Sequence, residues 1–258
     1  MTTSDKIYIE GVEYTREELD RYCNELLNPT TPVVETKPTF SVGKELQFVT
    51  DEKLYKEIIK YLDKTFPNNP DILSKKLKFK DNVMKGSNPY IATAVDMFLK
   101  SINSKSRIAT QRDLETNLEM FKGTYEDTGL VLRSLKDPNK KQAEYFYNQL
   151  KSKNPNIKFP IFADLRGLTL DDNLNFNLTD NSNYKTADCL NLKSGTHFFQ
   201  TDEFGFPKSE DENSSRQIWT GSDGLVGLYL DGDLDLSSYY EGLSNSDGYG
   251  RVVLAKSF

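Results

Sequence analysis

The chain has 258 residues, 36% of them apolar and 12% aromatic, which is enough to build a core and argues against wholesale disorder. A formal charge of −6 and a pI near 5.1 argue against a nucleic-acid-binding surface, which needs clustered positive charge, and against docking to anionic lipid. No stretch approaches the roughly 18 apolar residues of a bilayer span, and "MTTSDKIYIEG" has neither a basic n-region nor an apolar h-region, so the expected location is cytoplasmic or virion-associated.

In chain order, "KIYIEGVEYT" alternates around a turn, and Thr15 with Glu18 forms a capping box opening a helix to about Leu27. Residues 28–47 carry three prolines without a helical period and read as an extended linker. Over 48–122 the apolar residues recur at helical spacing: Leu54, Tyr55, Ile58, Ile59 and Leu62, then Val95, Phe98, Leu99 and Ile102, then Leu114, Leu118 and Phe121. This stretch predicts a small helical domain with no site chemistry. A separate domain is expected over 123–258. It begins with a strand at Leu130–Leu135 and a helix across 138–152 with Phe146 and Leu150 on one face. Short segments rich in Asn, Asp, Gly and Ser joins follow, and the domain ends on "GRVVLA". The closing strand is expected to lie antiparallel beside "GLVLRS", bringing the ends of this domain together and burying Leu130, Leu132, Val252 and Leu254. The fold class expected is α+β.

Residues that carry familiar chemistry are scarce. The two cysteines, Cys23 and Cys189, stand far apart without a CxxC partner and read as thiols of a reduced compartment. His197 is the sole histidine, so a Ser-His-Asp arrangement would have to pass through it, and its setting beside "FF" reads as a packed or surface residue.

The stretch "LYLDGDLDLSSYYEG" places Asp231, Asp233 and Asp235 at the first, third and fifth places of an EF-hand loop. Leu236 and Gly242 occupy the places where that loop needs glycine and glutamate, so no metal and no cofactor is expected. A strand explains the even spacing of Leu228, Leu230, Leu234 and Leu236, with Tyr229 and the aspartates on the opposite face. It does not explain why, between Ser222 and Gly250, nearly everything other than Leu or Val is Asp, Ser, Gly, Tyr or Asn. Changing the adenines of an AAC or AAT asparagine codon yields Asp, Tyr, Ser and Gly, and never Lys, Glu, Gln, Met or Trp. A low-complexity turn region favouring small polar residues is the alternative.

The framework Trp219-Thr220, Asp223-Gly224-Leu225, Leu228-Tyr229-Leu230, Leu234-x-Leu236, Leu243-x-x-Ser246 and Gly250-Arg251-Val252-Val253 resembles the variable proteins of diversity-generating retroelements. "FPIFADLRGL" and "DEFGFP" look like the lead-in of the same domain, and the resemblance covers about 123–258. It implies a C-type lectin fold with short irregular strands. It also implies a hypervariable surface, rewritten by error-prone copying at template adenines, that binds a protein or glycan ligand, mostly without calcium. The candidate ligand-binding positions are Ser222, Asp231, Asp233, Asp235, Ser238, Tyr239, Tyr240, Asp247 and Tyr249. Tyrosine with Ser, Gly, Asn and Asp is the mixture of antibody paratopes. The N-terminal helical region is left for a partner or for self-association. The rival readings are a structural or assembly protein and, on the Asp231/Asp233/Asp235 cluster, a metal-dependent enzyme.

Overall fold

The structure, a computed structural model, describes residues 6–9, 12–15, 45–221, 223–239 and 242–256. The chain divides into two compact units between Thr39 and Phe40. In the first, β1 (Lys6–Ile9) and β2 (Val12–Thr15) pair as an antiparallel hairpin. The helix expected from the Thr15–Glu18 capping box to Leu27, the linker up to residue 44, and Cys23 lie outside the described residues.

The second unit is a mixture of helix and sheet, α+β in class. After β3 (Glu45–Phe48) comes α1 (Glu52–Thr65), capped by the Asp51 carboxylate accepting the Lys53 N–H at 2.8 Å, with Ile58 and Leu62 on its buried face. β4 (Lys78–Lys80) and β5 (Val83–Lys85) form a hairpin whose two turn residues, Asp81 and Asn82, have φ of 57° and 59°, the conformation of a type I′ turn. α2 (Pro89–Ser101) follows the cap residue Asn88, whose side chain accepts the Ile91 N–H at 2.8 Å. β6 (Ser106–Ile108) comes next. The helix expected across Leu114 to Phe121 is instead two short turns, α3 (Gln111–Leu114) and a 3-10 turn at Leu118–Phe121. The reason is local: the Asp113 carboxylate folds back on the Thr110 N–H at 2.8 Å and pairs with Arg107, closing a one-turn capping box.

The remainder comprises β7 (Glu126–Leu132), α4 (Lys140–Lys153), β8 (Ile161–Asp164), β9 (Leu168–Leu170), β10 (Phe176–Leu178), β11 (Tyr184–Thr186), β12 (Thr196–His197), β13 (Gln217–Thr220), β14 (Leu225–Leu230), β15 (Leu236–Ser238) and β16 (Val253–Lys256). Seven of these strands form one sheet in the order β11-β8-β7-β14-β15-β13-β12, antiparallel except for the β13–β15 pair. One face of that sheet carries Leu130, Leu132 and Leu225 into a core shared with Ile58, Leu62, Phe98, Phe146 and Leu150. The other face carries Val131, Phe162, Val226 and Leu228 into a second core with Phe198, Phe206 and Ile218. Strand alternation explains the split: neighbours 130 and 131, or 225 and 226, point to opposite layers.

Two expectations are corrected here. The closing strand does not lie beside "GLVLRS". β7 is flanked by β14 and β8, while β16 is the middle strand of a separate sheet, β3-β16-β6. Leu130, Leu132, Val252 and Leu254 are nonetheless all buried in the same core, because the two sheets share it. The expected boundary at 122/123 is also absent, and the stretch 48–122 is not purely helical. Its strands β3 and β6 are hydrogen-bonded to β16, and α2 packs against β6, β7 and β9.

A unit built this way unfolds in one step. The sole tryptophan, Trp219, reports on the seven-stranded sheet, whereas much of the helical circular dichroism comes from α1 and α2. Their denaturation midpoints are expected to coincide. Leu254→Ala is expected to lower both together by about 2–5 kcal/mol of stability, the usual cost of a large-to-small change in a core. Two separated transitions would show that the halves fold independently.

Candidate functional site

β14 and β15 are joined by the turn Asp231–Asp235, so the four leucines do not line one continuous strand as expected. Leu228 and Leu236 enter the core beneath the seven-stranded sheet, while Leu230 and Leu234 enter a third cluster with Leu114, Phe121 and Val253. Leu234 takes φ of 69°, a left-handed position that normally goes to glycine or asparagine, and burial of its side chain offsets that strain.

The three aspartates of this turn have three different roles. Asp231 builds it: Oδ1 accepts the N–H groups of Asp233 and Asp235, both at 3.0 Å, and partial burial raises this carboxyl to about 6. Asp233 is exposed at the tip. Asp235 turns inward, 8% exposed, and accepts the Gln217 N–H at 2.6 Å and Trp219 Nε1–H at 2.8 Å. Ser238 is fully buried, with its hydroxyl 2.5 Å from Arg133 Nη2. Asp235 and Ser238 therefore do not belong to a displayed surface, a correction that follows from their being the polar partners of Trp219 and Arg133. Tyr239 is 57% exposed and lies over Gly221. Ser222 and Tyr240 lie outside the described residues.

Residues 244–251 are held in place mostly through their backbone. The Asn88 side chain donates to the Ser244 carbonyl at 3.3 Å, and the Tyr125 hydroxyl accepts the Asp247 N–H at 3.1 Å. Gly86 N–H donates to the Gly250 carbonyl at 2.8 Å, Tyr125 N–H to the Tyr249 carbonyl at 3.3 Å, and Arg251 N–H to the Tyr125 carbonyl at 2.9 Å. Side chains contribute too: the Ser246 hydroxyl accepts the Ser87 N–H at 3.0 Å, and Arg251 Nη1 donates to the Gly248 and Gly250 carbonyls at 2.9 and 2.7 Å. A Cβ at Gly250 would stand 2.7 Å from both the Tyr125 ring and the Ser87 nitrogen, so only glycine permits this approach. The side chains of Asp247 and Tyr249 point outward, Tyr249 with 68% exposure, and Asp247 Oδ1 accepts the Tyr249 N–H locally at 2.7 Å.

Beside this loop lies a cavity of about 390 Å³. Tyr125 and Tyr229 line it with ring centroids 6.0 Å apart and planes at 67°, together with Pro89, Asp127, Lys76 and Asp247. Ser87 Oγ donates to Asp127 Oδ2 at 2.6 Å, while burial pushes the Asp127 carboxyl up to about 7. The 48–122 stretch, expected to carry no site chemistry, thus supplies two walls. No spacing rule could have joined positions 76, 89, 127 and 229, because tertiary folding alone brings them together.

No protein-family model, curated protein or solved structure matches the chain.

Among the described residues, no group of three His, Cys, Asp or Glu side chains is placed to hold a metal ion, and no helix is long and apolar enough to cross a membrane. His197 spends both ring nitrogens within its own layer, Nδ1 on the Ser214 carbonyl at 2.6 Å and Nε2 on the Gln217 amide at 3.0 Å. Cys189 is a free thiol that burial raises to about 11, which keeps it protonated and unreactive near neutrality.

Two predictions follow from these placements. Asp235→Ala leaves the Gln217 N–H and the Trp219 indole without their partner and is expected to cost about 1–3 kcal/mol, whereas Asp233→Ser should stay within about 0.5 kcal/mol in chemical denaturation. The second concerns pH. Burial raises Glu126 from 4.5 to about 8 and Asp164 from 3.8 to about 8. Their folded values lie above the unfolded ones, so this contribution to stability is full below about pH 4. It declines as pH rises and is gone once pH has passed the folded values. Glu126→Gln removes one such proton, so its melting temperature relative to the parent chain should improve steadily from pH 5 to pH 8.5. A difference that is flat with pH would show that Glu126 is ionised in the fold.

Proposed function

We propose that this chain is a non-catalytic binding protein with a C-type lectin-like C-terminal half, whose exposed positions are diversified by adenine-directed mutagenic copying. The observation that carries the reading is the way residues 244–251 are held. Fixed framework groups grip main-chain atoms, and to these the outward side chains of Asp247 and Tyr249 add one local bond, Asp247 Oδ1 accepting the Tyr249 N–H. Asp233 is likewise exposed at the tip of the neighbouring turn, and Tyr239 is 57% exposed at the strand end. The displayed set is therefore Asp233, Tyr239, Asp247 and Tyr249, residue types that an asparagine codon reaches by changes at adenine. Exposed tyrosines supply broad contact area at small side-chain entropy cost, as in antibody paratopes, and the partner is a protein or glycan met through this face. A cytoplasmic or virion-associated setting fits the composition.

Sequencing the 3′ part of the gene across a population tests the reading without knowledge of the ligand. Differences are expected at the codons of Asp233, Tyr239, Asp247 and Tyr249, confined to positions where a nearby template copy has adenine. The codons of Leu228, Leu230, Leu236 and Gly250 should be spared. Differences spread evenly over both sets, or the absence of any such template copy beside a reverse transcriptase, would end the proposal.

A further inference from the structure

From the cavity bounded by β7, β14 and the start of α2 we infer a second binding site, one that takes an alkylammonium group. It stands mainly on Tyr125, Asp127 and Tyr229, which lie outside the displayed set; of the groups used, Asp247 at the rim alone belongs to that set.

The walls argue for a cation. An ammonium within about 6 Å of an aromatic centroid is attracted by the ring face, and two tyrosine rings at 67° border this space on adjoining sides. The Tyr125 ring is a fixed wall, because its hydroxyl donates to the Ser87 carbonyl at 3.1 Å and accepts the Asp247 N–H. Asp127 supplies the counter-charge. Its Oδ2 is engaged by Ser87, while Oδ1 lies toward Gly227, where a Cβ would stand 3.9 Å from it and 3.1 Å from Pro89. Glycine at 227 thus keeps the carboxylate approachable. Asp247 adds a second carboxylate at the rim, against one exposed ammonium from Lys76.

An anion fits poorly. Two carboxylates would repel it, and the start of α2 offers little to bind it. Pro89 has no N–H, and the Ile91 N–H is already taken by the Asn88 side chain. A volume of about 390 Å³ leaves room for the chain that bears the ammonium. That chain comes from one of two sources, a free amine or the lysine side chain of a peptide.

The state of Asp127 adds a signature. The charged or titratable groups around it are Glu126 on its own strand, Tyr125 just before that strand, Tyr229 from β14, and Lys76, Asp247 and Arg251 from the flanking turns. Tyr125 is pushed far above the neutral range and stays uncharged. Asp127, raised to about 7 by burial, is half protonated near neutrality, so cation affinity should rise as pH passes through 7.

The test is a calorimetric and NMR titration of the full chain with n-pentylammonium and with Nα-acetyl-lysine N-methylamide, using n-pentanol as the neutral control. Both amines are expected to bind and pentanol not to. A tighter lysine amide points to a peptide side chain, and a tighter free amine to a small-molecule ligand. Asp127→Asn keeps the shape and the Ser87 hydrogen bond, and should weaken the amine by about tenfold or more while removing the rise with pH. Tyr229→Leu should weaken it by about threefold to tenfold, and Lys76→Gln should tighten it by about twofold to threefold. Should Asp127→Asn misfold, Lys76→Gln and the pH profile of the parent chain still decide. Equal binding of pentanol, tightening on Asp127→Asn, no shift of cavity resonances with either amine, or preferential binding of acetate overturns the assignment.

Discussion

Val253–Lys256 lies between Glu45–Phe48 and Ser106–Ile108, and its alternate side chains serve two cores at once, Leu254 on one side and Val253 with Ala255 on the other. β6 is itself fixed from behind by Arg107, whose guanidinium meets the Asp113 carboxylate through two bonds, at 2.5 and 3.0 Å, in a site that is almost wholly buried. Asp96 of α2, also fully buried, receives the Ile108 N–H and the Gly167 N–H and pairs with Lys100. A buried pair of this kind adds little net stability over an apolar filling. Breaking it by removing one partner costs several kcal/mol, so it acts as a strict constraint on how β6, α2 and the turn after β8 come together. The rest of the second unit depends on that junction.

Under the proposed function, binding and stability fall largely to different atoms of the same segment. Between β15 and β16 the chain is anchored at both ends in sheets, and residues 244–251 are gripped by hydrogen bonds to their own carbonyl and N–H groups. The Tyr249 side chain projects outward from that grip, whereas Leu243 is buried, Ser246 and Arg251 hold backbone groups through their side chains, and Asp247 Oδ1 accepts the Tyr249 N–H. The turn after β14 divides the labour more finely. Asp231 folds the backbone, Asp235 holds Trp219, and only Asp233 is free to vary.

How much of this was legible in the sequence depends on the range of the interaction. The helices α1, α2 and α4 were legible because each buries a stripe at a 3.6-residue period, with Ile58 and Leu62, Phe98 and Leu99, and Phe146 and Leu150 on the inner faces. The α+β class and the exposure of Tyr239, Asp247 and Tyr249 were legible for similar local reasons. The neighbours of β16 were not, because four apolar residues specify a strand but not its partners, and two strands from residues 45–108 outcompete the nearer-looking β7. Asp233 and Asp235 are the same residue type two positions apart. What separates them is the indole of Trp219, which only the folded chain brings within reach of Asp235. The amine-sized cavity was invisible for the same reason.

The central place of β16 makes its sheet depend on residues translated after almost everything else described. Until the chain has been made through Lys256, β3 and β6 have no common neighbour, and their unpaired edges and the apolar residues beside them stay exposed. A copying error that shifts the reading frame anywhere after β15 would strip the sheet of its middle strand and hand the product to proteases and chaperones. A base substitution at an outward codon would pass unnoticed. Under the proposed diversification, completion of one small sheet would act as proofreading of the message, discarding scrambled ends and letting through those in which only the surface has changed.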